Sequence, residues 1–189
     1  MNKEKTNIGL FFGSFNPLHN GHIAIAEYFT NNNFVDEIWF VVSPQSPFKQ
    51  HFTYNKDYNT QYFIPEETRL EILNKATRKY PYFKICDIEF SMPKPSYSID
   101  TLKELSKRFP DKKFTLIMGS DQLPDFKLWK DSQEILNNYQ IYVYPRSKSD
   151  LQYLLPGMKI FENVPLLDIS STQIREKIAK GENIDKLIP

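Results

Sequence analysis

The 189-residue chain is short of histidine, glycine and cysteine, with three, six and one of each. The lone cysteine, Cys86, excludes an internal disulfide and fits a reducing compartment, so a cytoplasmic location is expected. Charge of one sign is missing too: 24 Lys and Arg face 23 Asp and Glu, and a net +1 gives no global field for a polyanion such as a nucleic acid. Long apolar runs are absent. The segment "IGLFF", which follows the charged "MNKEKTN", is too short for a signal-peptide core or a membrane span. Neither a nucleic acid nor a membrane is therefore an expected partner, while a homo-oligomer stays open.

What is present is the composition of a folded domain, 40% hydrophobic and 25% charged, in a length that fits one domain over 1–189. Continuous apolar runs at 7–12, 37–43, 113–119 and 140–146 suit strands buried on both faces, with further strands over 83–90 and 158–164. Helical patterns fill the intervals. Over 21–32, Ile23, Ala26 and Tyr28 or Phe29 share a face, and the segment 65–80 has Pro65 in its first turn, acids early and bases late. Leu102, Leu105 and Phe109 form a stripe over 96–109, and helices are also predicted at 128–138, 150–155 and 170–182, the last capped by Ser170 or Ser171 and stopped by Gly181. The polar, aromatic stretch 44–64 has no period and is expected to act as a lid.

Strands alternating with helices predict an α/β fold: a Rossmann-like, doubly wound parallel sheet in three layers, as a single domain. In such sheets ligands bind beyond the carboxyl ends of the strands, where the strand order reverses. Gly13 and Gly119 both stand at such ends.

Two of the three histidines, His19 and His22, lie in "GSFNPLHNGH", between the first strand and the helix expected to open at His22. A strand-to-helix turn of this kind points unpaired backbone N–H groups at a ligand, and imidazoles three residues apart can share one oxyanion. Two other roles compete: metal ligation, for which Cys86 and His51 are poorly placed as further ligands, and buried packing or capping. The strand, the glycine and the proline-fixed turn at Asn16 and Pro17 favour phosphate binding.

"GSFNPLHNGH" resembles the HxGH signature of the nucleotidylyltransferase superfamily, and "ISSTQIR" (169–175) resembles its ISSTxIR partner. The likeness narrows to the bacterial nicotinate-nucleotide adenylyltransferase family through "SPQSPFK" (43–49), "PSYSIDTL" (95–102), "GSDQLPDFKLW" (119–129) and the tail. Phe12-Gly13-Ser14-Phe15-Asn16-Pro17 departs from the family's Gly-Gly-Thr-Phe-Asp-Pro by one glycine and one carboxylate, and the chain stops at Pro189, short of a further helix common in relatives.

The resemblance implies transfer of AMP from ATP to nicotinate mononucleotide, releasing pyrophosphate, with ATP arriving as its Mg2+ complex. It implies that His19, His22, Arg175 and Lys49 serve the reacting phosphates. Gly13, Ser14, Phe15, Gly119, Asp121, Ser171 and Thr172 would bind ATP; Tyr97, Ser98 and Trp129 would bind the mononucleotide. No resident metal site is implied. Alternatives are the same chemistry on another acceptor, such as nicotinamide mononucleotide or phosphopantetheine, and a nucleotide-binding module without turnover.

Overall fold

The computed structural model describes residues 5–44, 64–146 and 148–189. Along the chain run β1 (Thr6–Gly13), α1 (Asn20–Asn31), β2 (Glu37–Val42), α2 (Glu66–Thr77), β3 (Phe83–Cys86), α3 (Ser98–Arg108), β4 (Lys112–Gly119), α4 (Ser132–Asn138), β5 (Gln140–Tyr144), β6 (Met158–Ile160) and α5 (Ser171–Ala179). The strands form one sheet in the order β3-β2-β1-β4-β5-β6, parallel at every pairing. This is the expected Rossmann-like α/β arrangement, with its reversal of order between β1 and β4.

Alternation along the strands sorts the core into two layers. Phe11, Ile38, Phe40, Ile117 and Tyr142 pack with Ile23, Ala26 and Phe29 of α1 and Leu73 and Ala76 of α2. Ile8, Leu10, Trp39, Val41, Leu116 and Val143 face the other way, onto Ile99, Leu102 and Leu105 of α3 and Ile135 of α4. Since a strand turns successive side chains to opposite faces, helices on both sides are what let every one of these residues leave water.

Several boundaries differ from the sequence expectation. β3 ends at Cys86, and Ile88–Ser91 forms a 3-10 turn instead of a continued strand. Ile88 and Glu89 are adjacent and both buried, which strand alternation cannot deliver against a single buried face. The helix expected from residue 128 starts only at Ser132, because Asp131 has φ +49°, a left-handed conformation that no α-helix continues through; Phe126–Leu128 is a separate 3-10 turn. α1 begins at Asn20, two residues before the expected opening at His22, so that His22 lies inside it. The lid expected over 44–64, and Lys49 and His51 within it, lie outside the described residues except for Pro44 and Ile64.

Near its end the chain returns to the start of α1. The Asn20 N–H donates to Leu187 O and its side-chain amide to Lys186 O, both at 2.9 Å.

Candidate active site

The turn from β1 to α1 is folded from inside. Phe15 takes φ +43° and buries its ring, 3% exposed, over Gly13, where a Cβ would meet that ring at 3.0 Å. Only the backbone of Phe15 can therefore face a ligand. Beneath the turn lies Arg69 of α2, fully buried, whose Nη1 donates to Ser14 O at 2.6 Å and Ser43 O at 3.2 Å. A guanidinium gripping these carbonyls fixes the peptide planes at the ends of β1 and β2. Sequence reasoning missed Arg69, although its spacing with Leu73 and Ala76 puts it on the apolar face of α2.

His19 is the N-cap of α1 and His22 its third residue. The His19 backbone N–H donates to His22 Nδ1 at 3.2 Å, and the two rings stack with centroids 3.7 Å apart and 30° between planes. The edges of Phe15 and Phe11 hold His22 from the other side, at 5.2 and 5.9 Å between centroids. With Nδ1 accepting, a neutral His22 carries its proton on Nε2 and can donate from there. His19 is 3% exposed, and its Nδ1 has no hydrogen-bond partner among the described residues. Burial first, and the charge of Arg146 second, lower its pKa from 6.5 to about 4. It is a neutral imidazole at neutral pH.

Close packing explains the glycine between them: a Cβ on Gly21 would sit 2.9 Å from His19 Nδ1. The capping role, which sequence reasoning set against phosphate binding, is compatible with it. His19 caps the helix through its position, and the pair remains at the carboxyl end of β1.

The second motif docks on the same turn. Ser170, rather than Ser171, caps α5 in a reciprocal box with Gln173, at 3.2 and 2.7 Å. Ser171 Oγ instead donates to Pro17 O at 3.0 Å, and Arg175 donates from Nη1 to Asn16 O at 2.7 Å and from Nη2 to Thr172 Oγ1 at 3.1 Å. The N–H groups of Ser171 and Thr172, in the first turn of α5, have no acceptor within the helix and suit an anion.

On the neighbouring strand, Gly119 ends β4 beside Tyr144 of β5. A Cβ there would collide with the Asp121 carboxylate and would stand 3.0 Å from Arg146 Cγ, so the close approach of these three residues needs glycine. Arg146 hydrogen-bonds the buried Tyr144 hydroxyl, whose pKa burial raises, and its N–H donates to Ser120 Oγ at 2.7 Å. Arg146 thus brings a cation to the strand ends within electrostatic reach of His19. Its place just past β5 was the signal for it, since ligands gather at such ends.

Tyr97 is the N-cap of α3 and Ser98 its first residue. Lys130 lies 5.0 Å over the Tyr97 ring and grips Asp100 at 2.8 and 3.0 Å, joining the segment that carries Trp129 to the start of α3. The half-buried Trp129 ring packs 5.4 Å from that of Phe126. The structure thus gathers His19, His22, Ser171, Thr172 and Arg175 around one turn and ties the segment of Trp129 to Tyr97 and Ser98 at the start of α3, with Gly119 at the end of β4 and Asp121 in the 3-10 turn that follows it. Lys49 lies outside the described residues. Among the described residues no three His, Cys, Asp or Glu side chains cluster as metal ligands, and no helix is long and apolar enough to cross a membrane.

Residues 10–177 match the cytidylyltransferase-like family model. The chain is 42% identical over 185 residues to a protein of Flavobacterium psychrophilum named a probable nicotinate-nucleotide adenylyltransferase, covering 96% of this chain and 91% of that one. A Bacteroides fragilis protein of the same name is 41% identical over 182 residues, covering 95% and 86%. Among solved structures, a Plasmodium falciparum nicotinic acid mononucleotide adenylyltransferase complexed with NaAD shares the fold, with a TM-score of 0.70 at 21% identity over 97% of this chain and 90% of that one.

Proposed function

The chain belongs to the nicotinate-nucleotide adenylyltransferase family, within the cytidylyltransferase-like group, and from that premise we propose that it transfers AMP from ATP to nicotinate mononucleotide, giving nicotinate adenine dinucleotide and pyrophosphate in NAD biosynthesis. The observation that carries this reading is the meeting of both sequence motifs at one turn, with the stacked histidines of α1 on one side and Arg175 on Asn16 O at the other.

In the reaction an oxygen of the mononucleotide phosphate forms a bond to the α-phosphorus of ATP, and the bond from that phosphorus to the bridging oxygen of pyrophosphate breaks. No protein nucleophile takes part, so catalysis is positioning and charge stabilisation. His22 donates from Nε2 to the α-phosphoryl oxygens, and His19, neutral in its buried place, adds a donor without the cost of burying a charge. Arg175, with the first N–H groups of α5, holds the departing pyrophosphate. Lys49 is assigned to the reacting phosphates as well, and Asp121 to a ribose hydroxyl.

ATP is taken as its magnesium complex, with the ion resting on phosphate oxygens and water. At the second half-site Trp129 and Tyr97 offer ring faces to the pyridine, and the first N–H groups of α3 face its carboxylate. Residues 1–189 act as one nucleotidylyltransferase domain in the cytoplasm, with ATP and nicotinate mononucleotide as its partners.

The test is pyrophosphate release from Mg-ATP with nicotinate mononucleotide, nicotinamide mononucleotide and phosphopantetheine, compared by kcat/KM. Highest kcat/KM with nicotinate mononucleotide, weakened by Trp129→Ala, supports the assignment. Preference for another acceptor moves the enzyme within its class, and binding of ATP without release under any acceptor removes the activity altogether.

A further inference from the structure

Glu89 lies in the turn after β3 and is 1% exposed, yet no step of the reaction uses it. Its Oε1 accepts from Thr101 Oγ1 at 2.8 Å. Its Oε2 is buried without a hydrogen-bond partner among the described residues, and so is Ser96 Oγ. The hydroxyls of Ser43 and Ser96 face the same carboxyl and pull its pKa down, against burial, which pushes it up and prevails. Burying a carboxyl costs stability unless its partners offset the lost hydration.

What this carboxyl ties together is the mononucleotide half-site. Thr101 is also tied to Tyr97 O, which accepts from its backbone N–H at 3.2 Å and lies 3.3 Å from its Oγ1 as a weaker second acceptor for the hydroxyl, inside the first turn of α3. Ser96 directly precedes Tyr97, and Ser43 directly follows β2, with its carbonyl held by Arg69. Glu89 thus stands where the end of β2, the segment 95–97 and the start of α3 converge.

We propose that Glu89 is the positioning residue of the mononucleotide half-site: through Thr101 it fixes the start of α3, and with it the Tyr97 ring and the N–H groups of Ser98 and Ile99 that receive the pyridine carboxylate. Glu89 touches no substrate. The inference rests on the function proposed above, because it takes nicotinate mononucleotide as the acceptor at α3. N–H groups at a helix start grip a carboxylate only when both point at it, so a small tilt of the first turn weakens that contact and leaves the phosphate turn of β1 and α1 untouched.

The experiment is steady-state kinetics with Mg-ATP and nicotinate mononucleotide on the wild type, Glu89→Gln, Thr101→Val and Thr101→Ser, with a melting temperature for each. Glu89→Gln and Thr101→Val are expected to raise KM for the mononucleotide about tenfold, the worth of one buried hydrogen bond, while KM for ATP stays within about twofold. Thr101→Ser keeps the hydroxyl and should stay within about twofold of the wild type for both substrates. The two Thr101 variants carry the comparison alone if Glu89→Gln does not fold. Equal changes in both KM values, a lowered melting temperature with unchanged KM values, or Thr101→Ser behaving as Thr101→Val would overturn the positioning role. A wild type that releases no pyrophosphate with nicotinate mononucleotide would overturn the proposed function instead.

Discussion

Arg175 Nη1 lies 2.7 Å from the carbonyl oxygen of Asn16, a partner 159 positions earlier in the chain. That bond fastens the last helix to the turn between β1 and α1, and together with Ser171 Oγ on Pro17 O it brings the two motifs from opposite ends of the polypeptide together. Four consequences can be measured.

Arg175→Lys keeps the charge but cannot hold Asn16 O and an anion with one planar fork. We expect kcat to fall by roughly 10²-fold, as for loss of an oxyanion donor, with little change in melting temperature. Pyrophosphate-release kinetics beside a thermal melt check this, and wild-type kcat in the variant would detach the guanidinium from the leaving group.

His19 gives stability a pH dependence of known sign. Its folded pKa, about 4, is below the ordinary 6.5, so between these values the unfolded chain binds more protons and stability falls as the pH drops. The contribution is present in full above pH 6.5 and lost by about pH 4, in total about 3 kcal/mol. His19→Asn keeps a good N-cap and removes the titration. Urea midpoints at pH 7 and 4.5 should fall further for the wild type than for the variant; parallel falls would show that His19 titrates normally.

Arg69→Met should be costly although the site lies above it. The carbonyls of Ser14 and Ser43 lose their buried donor, each at about 1–3 kcal/mol. We expect a lower urea midpoint and a loss in kcat together, because the phosphate turn is the part released. Unchanged kcat at a temperature where the variant is folded would leave Arg69 a purely structural role.

Gly119→Ala tests the crowding at the end of β4. The new methyl group must displace the Asp121 carboxylate, a flexible side chain, so stability should change little while ATP affinity drops. Calorimetric titration with ATP reads this directly, and wild-type affinity would place Asp121 outside the nucleotide site.

The fold and one half of the site were legible in the residues themselves. Runs such as "GLFF" and "TLIM" are apolar on both faces and punctuated by Gly13 and Gly119, which is enough to fix a parallel sheet and the edge where ligands bind. His19 and His22 were visible because histidine is rare here and both sit at a helix start. Arg69 and Glu89 were not. A charge in a helix or after a strand reads as solvated unless its neighbours are known, and both became buried only when α2, α3 and the ends of β1 and β2 came together.

By itself the sequence determined the order of the elements, because periodicity and turn chemistry are local properties of a chain, and its two motifs, GSFNPLHNGH and ISSTQIR, carried the resemblance to the family. Only the tertiary structure decided that His19 is a buried, neutral cap stacked on His22, that Arg175 grips Asn16, and that Arg146 stands at the ends of β4 and β5. Each of these depends on desolvation or on a distance between residues far apart in the chain, and neither quantity exists until the chain has folded.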